Sequence, residues 1–184
     1  MENAMNAVKE AKRNAIDGGK LQQRAAKGKS NEEKHAPGDT VKPHAGLKQD
    51  RNFEVLVGKP VGGIEAVKAI RSGFNAHMLK SASGYLGVPE KRILDVVHIP
   101  TATAHRLQKN DQNVDPGATE RLYRMGIVTR MAIDVFEEPE LAKEWLRRPN
   151  RSLANEAPLD LLDTEPGAAS VRQVLNAIAT GGVV

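Results

Sequence analysis

Prolines cut the second half of this chain into short pieces. Pro89, Pro116 and Pro139 each head a run with helical periodicity, and Pro149, Pro158 and Pro166 stand where further short helices can begin. Proline fits the first helical turn and not the interior, so each of these positions is a start signal rather than a continuation. No strand-type runs alternate in a βαβ rhythm across the 184 residues, while Ala, Leu, Glu, Arg and Met are common. The predicted fold class is therefore all-α.

Taken in order, residues 1–50 are predicted to be a disordered or weakly helical basic tail, interrupted by Gly18-Gly19, Gly28 and Pro37-Gly38. Phe53 to Gly58 reads as a short extended or coil segment leading into Pro60. Ile64, Val67 and Ile70 recur at helical spacing and predict a helix over 62–71, and Phe74, Met78 and Ala82 predict another over 75–85. Residues 89–109 read as a helix–turn–helix, with Ile93, Val96 and Val97 inward on its first helix and Ala104 and Leu107 inward on its second. Asp115-Pro116-Gly117 starts the longest helix, 117–137, striped by Leu122, Met125, Thr129, Ala132 and Phe136. A helix over 139–148 carries Leu141 and Trp145, residues 150–157 form a loop, and Pro158 to Leu162 makes one or two helical turns. Thr164 caps a last helix whose Val171, Val174, Leu175 and Ile178 share a face, and Gly181 ends it. The division is a tail (1–50), a helix–turn–helix domain (51–115) and a second small helical domain (116–184).

Charge separates the two ends. Residues 1–133 carry 22 basic and 14 acidic side chains, and residues 134–184 carry 5 and 9. Such a split fits two partners of different kind, one of them nucleic acid, or a soluble protein whose charge has drifted. Aromatic residues are 3% of the chain, too few for a platform that stacks single-stranded bases. No apolar run approaches the ~18–20 residues of a membrane span, and the N-terminus lacks the apolar core of a signal peptide, so a cytoplasmic protein with no membrane partner is expected.

Chemistry is sparse. There is no cysteine, hence no thiolate metal site and no cysteine nucleophile. His35, His44, His77, His98 and His105 lack partners at metal-ligand spacing, and no phosphate-binding glycine loop or nucleophile elbow is present. Asp160 and Asp163 read as solvated charges rather than a metal pair. The expectation is no catalytic residue, no metal, no cofactor and no enzymatic activity. A helix–turn–helix places the start of its second helix in the major groove, which makes Thr101, Thr103, Arg106 and Lys109 the candidate DNA contacts. The alternative is a helical hairpin that builds only core or dimer contacts. His98 stands where the turn ordinarily has glycine, and Leu94 where the first helix ordinarily has alanine.

From Ser72-Gly73-Phe74 to the C-terminus, about 110 residues, the chain resembles the Xre/ParS/MbcA-type antitoxins of the RES–Xre toxin–antitoxin systems. The resemblance is carried by Ala118-Thr119-Glu120-Arg121-Leu122-Tyr123-Arg124-Met125, Trp145-Leu146-Arg147-Arg148-Pro149-Asn150, Pro158-Leu159-Asp160-Leu161-Leu162 and Thr164-Glu165-Pro166-Gly167 in that order. It implies a Cro-like helix–turn–helix bundle used in dimerisation and operator binding, followed by a small helical toxin-binding domain. It also implies a RES-domain, NAD⁺-degrading toxin as partner, in a homodimer or larger hetero-oligomer. Gly181, Gly182, Val183 and Val184 would enter the toxin's active-site cleft. Pro158, Asp160, Thr164 and Gly167 would shape the toxin-binding domain, part of it facing the toxin. Such an antitoxin would also repress its own operon. A stand-alone helix–turn–helix regulator and a helical dimerisation module remain the competing readings.

Overall fold

The computed structural model describes residues 52–60 and 62–181, so the tail of residues 1–50 and the predicted contacts Gly182, Val183 and Val184 lie outside the described residues. Within them the chain forms α1 (Asn52–Gly58), α2 (Gly63–Ser72), α3 (His77–Leu86), α4 (Glu90–Val97), α5 (Thr101–Lys109), α6 (Pro116–Phe136), α7 (Pro139–Arg147) and α8 (Glu165–Ala179). Two 3-10 turns, Arg151–Leu153 and Asp160–Asp163, fall between α7 and α8. Among the described residues there is no strand, only the isolated bridges Asn75–Asn113 and Asn150–Glu156. The all-α expectation holds.

The long helix α6 is the axis. Asp115 caps it, its carboxylate accepting from Gly117 N–H at 2.9 Å and Ala118 N–H at 3.0 Å, and Pro116 fills the first turn where no donor is needed. The whole predicted stripe of Leu122, Met125, Thr129, Ala132 and Phe136 is buried. Against it pack α1, α2, α4, α7 and α8, and one continuous apolar core runs from Phe53 to Ile178 across the 115/116 position. Each large apolar side chain withdrawn from water here contributes roughly 1.5–3 kcal/mol. Trp145 anchors α7 on this core, its ring 5.7 Å from that of Phe136.

The segment from Phe53 to Gly58 departs from expectation, being helical and not extended or coil. Its valines suggest a strand, but Phe53, Leu56 and Val57 fall at i, i+3, i+4 and are all buried on α3 and α6. Burial of that triplet overrides β propensity. Gly126 of α6 makes the contact close, since a Cβ there would lie 2.7 Å from Leu56 Cδ2. The helix α2 forms where its periodicity predicts, yet it buries Ala66 and leaves Ile64 66% and Val67 37% exposed. The stripe that announces this helix is not the face it turns inward.

Candidate functional site

The helix–turn–helix is present as predicted, α4 and α5 joined through His98 to Pro100. His98 takes φ 60°, ψ 41°, the left-handed conformation, and its N–H and that of Ile99 return to Asp95 and Leu94 carbonyls. An L side chain in this conformation costs about 1–2 kcal/mol relative to glycine. Leu94 is accommodated by full burial in the core.

Only Ala104 of α5 is buried, with Leu107 half-buried beside it. Thr101, Arg106 and Lys109 are exposed, and Thr103 is half-buried on the flank facing Leu107. The exposed face brings Ala102, His105, Arg106 and Lys109 together at helical spacing. His105 is thus a neighbour of the predicted contacts that their own spacing from Arg106 and Lys109 could have revealed. Arg106 holds Gln112 Oε1 only weakly, at 3.4 Å, leaving its guanidinium able to reach a phosphate or a base edge.

The residues of the C-terminal motifs are mostly interior scaffold. Pro158 is buried. Leu146 is fully buried, and its carbonyl accepts from Leu159 N–H at 3.0 Å, which ties the Trp145-Leu146 motif to the Pro158-Leu159 motif. Thr164 Oγ1 accepts from Gly167 N–H at 3.2 Å and caps α8. A Cβ at Gly167 would sit 2.1 Å from the Leu161 carbonyl oxygen, so only glycine permits this approach. Asp160 is gripped by Arg92 of α4, Nε to Oδ1 at 2.7 Å and Nη2 to Oδ2 at 2.8 Å. From α8 the chain passes Thr180 to Gly181, which takes φ 71° just before the segment that lies outside the described residues. The structure does not bring the DNA candidates and the toxin candidates together: they lie on separate elements, α5 and the 158–181 stretch.

A cluster of arginines ties the 158–181 stretch to α6 and α7 to the end of α3, and sequence reasoning missed it. Arg124 of α6 is buried, donating from Nη1 to Leu162 O at 3.0 Å and from Nη2 to both carboxylate oxygens of Glu120. Its Nε lies 3.2 Å from Glu165 Oε2, within ion-pair range but off a hydrogen-bond line. Glu165 also pairs with Arg172. Arg121 Nε donates to Asp163 O at 3.1 Å, and His98 Nε2 stands 3.6 Å from Asp163 Oδ2. Arg147 Nη1 caps the end of α3 through the Leu86 and Gly87 carbonyls. Arg121, Arg124 and Arg147 all stand in the motifs named above and Glu120–Arg124 is a local pair, but partners 38 to 61 residues away carry no local signal.

Outside this junction, a shallow groove between the first 3-10 turn and α8 is lined by Ser152, Leu153, Ser170, Gln173, Val174 and Ala177, without a charged side chain. Across the molecule, burial and the Glu54 and Glu140 carboxylates push the Tyr85 phenol above its usual range, while Lys143 lies 4.6 Å over its ring and holds the Glu140 carboxyl low. Among the described residues no three His, Cys, Asp or Glu side chains gather to hold a metal ion, and no helix is long and apolar enough to cross a membrane.

Comparison with known proteins finds two matches that meet within the long helix α6. Residues 65–125 match the antitoxin Xre-like helix-turn-helix domain, and residues 131–181 match the antitoxin Xre/MbcA/ParS C-terminal toxin-binding domain. The chain is 30% identical over 127 residues to the Prs ADP-ribosylating antitoxin of Sphingobium sp. (strain YBL2), covering 64% of this chain and 80% of that protein. It is 28% identical over 127 residues to an Antitoxin Xre of Yersinia enterocolitica, covering 68% and 86%. Over 83 residues it is 34% identical to an Antitoxin Xre of Pseudomonas putida, covering 45% and 52%.

Proposed function

The chain belongs to the Xre/MbcA/ParS antitoxin family, and from that premise we propose that it neutralises a cognate RES-type, NAD⁺-consuming toxin in the cytoplasm by seating residues 181–184 in the toxin's active-site cleft. The family is one of antitoxins, which act by binding and not by catalysis. The observation that carries the proposal is the mooring of α8. Its five buried residues, Thr164 cap and Arg124–Glu165 contact hold rigidly the helix from which the inhibitory segment departs. A segment launched from a fixed helix loses less freedom on binding than one launched from a loop. The uncharged groove beside α8 offers the adjoining contact surface. That one relative is named for an antitoxin to ADP-ribosylation of Prs supports a partner that cleaves NAD⁺, since ADP-ribosyl transfer begins with that bond.

The test is a growth assay with the toxin co-expressed. A chain lacking residues 181–184 should fold with an unchanged circular-dichroism melt and lose protection; full protection by it refutes the cleft-blocking segment.

Repression of its own operon through α5 is part of the same proposal, supported by the exposed Arg106 and Lys109. Helix–turn–helix proteins read paired half-sites as dimers, and the surface of α1 and α2 suits a second copy. Val55, Ile64 and Val67 are its exposed large apolar side chains, and Glu65, Lys68 and Arg71 beside them supply both signs of charge for a two-fold-related mate. Ile64→Lys should shift the mass measured by light scattering from dimer to monomer. A dimer that survives it uses another face.

A further inference from the structure

We propose that Asp160 is a positioning residue for DNA reading: its carboxylate, supplied from the C-terminal unit, holds α4 through Arg92 and so sets the seat of α5. The inference rests on the reading that α5 contacts DNA.

The helix α5 has little hold of its own. It buries one residue and packs chiefly on α4. Its firmest side-chain tie, Gln108 Nε2 to Glu90 Oε1 at 2.7 Å, also goes to α4. Where α4 lies, α5 follows.

The helix α4 in turn lies against the 160–163 turn. The Arg92 guanidinium makes a two-pronged contact with Asp160 and donates from the same Nη2 to Arg147 O at 3.3 Å. A forked pair of this kind fixes both distance and rotation, which a single hydrogen bond does not. The turn that presents Asp160 is itself pinned, through Arg124 to Leu162 O and Arg121 to Asp163 O. Asp160 therefore transmits the position of a rigid frame and not of a loose loop. The distances make this consequential: α5 runs ~12 Å from first to last residue, so a rotation of α4 by about 10° swings Lys109 by ~2 Å. A shift of that size is enough to break a base-edge hydrogen bond.

The partition of roles is the testable content. Asp160 stands inside a motif of the toxin-binding domain, yet both its carboxylate oxygens are engaged by the DNA-side helix. Asp160→Asn keeps the shape and removes the charge and one acceptor. Binding is measured by fluorescence anisotropy to a duplex from the chain's own promoter and to a scrambled duplex, and by calorimetry to the cognate RES-domain toxin. We expect Asp160→Asn to weaken promoter binding about tenfold, in line with measured couplings between contacting pairs, with scrambled-duplex affinity changed less than about twofold. Exchanging the partners, Arg92→Asp with Asp160→Arg, should restore most of the promoter affinity that either single exchange loses. Arg92→Lys, which keeps the charge and loses the fork, should weaken promoter binding about threefold and carries the test should Asp160→Asn fail to fold. Promoter binding unchanged in both variants overturns the inference, as does a tenfold loss of toxin affinity with promoter binding intact. A wild-type chain that binds both duplexes alike fails the DNA reading itself, and the inference with it.

Discussion

The helices α5 and α8 carry the two proposed activities and are built in opposite ways. The nine-residue α5 buries one side chain and has no side-chain cap, whereas the fifteen-residue α8 buries five, is capped by Thr164 and is braced by Arg124. The difference follows from what each helix has to face. A reading helix must leave most of its circumference free for a groove, so its position is borrowed from the helix before it. A helix that launches an inhibitory segment can bury a whole face and lose nothing. Stability is thus concentrated where the proposed partner is a protein and spare surface where the proposed partner is a nucleic acid.

Substitutions on the two helices and at their supports test this contrast. The largest effect should come from Leu175→Ala, which removes a fully buried side chain of α8 and should cost about 3 kcal/mol in urea unfolding. The corresponding truncation on α5, Leu107→Ala, should cost about 1 kcal/mol because that side chain is only half-buried. Equal costs would erase the contrast. Gly167→Ala forces a Cβ against the Leu161 carbonyl and should cost about 2 kcal/mol, read in the same experiment. Removing the cap by Thr164→Ala should cost about 1 kcal/mol, with hydrogen-exchange protection lost first at the α8 N-terminus. On the other side, His98→Gly relieves a left-handed histidine and should raise stability by about 0.5–1 kcal/mol; a loss would mean that the His98–Asp163 approach outweighs the strain. Smallest in stability terms, Arg106→Ala with Lys109→Ala should leave the melt unchanged and lower the salt dependence of DNA binding by about one unit per charge.

Most of the scaffold was legible because its signals are local. Pro116, Pro139 and Pro166 mark the starts of α6, α7 and α8, and the stripes of α6 and α8 name their buried faces residue by residue. Two features escaped. The helix α1 was hidden by the β-type residues Val55 and Val57, although Phe53, Leu56 and Val57 already had helical spacing. The arginine junction was hidden because nothing in sequence marks Arg92 as the mate of Asp160, 68 residues on. The motifs around Pro158, Asp160 and Gly167 were recognisable, but recognising them did not disclose that burial, charge pairing and a backbone contact already occupy them.

The approach of Arg147 to Gly87 has one more consequence. A Cβ at position 87 would lie 2.5 Å from Arg147 Nη1, in a backbone conformation of φ 64° that already favours glycine. That guanidinium ends a flexible side chain and can yield, so the left-handed backbone is what holds position 87 to glycine, while Arg147, sixty positions on, ties the front of the molecule to its rear through the Leu86 and Gly87 carbonyls. A chimera that joins the front half of this chain to the rear half of a relative will keep that tie only if an arginine comes at position 147, however cleanly the splice point itself is chosen.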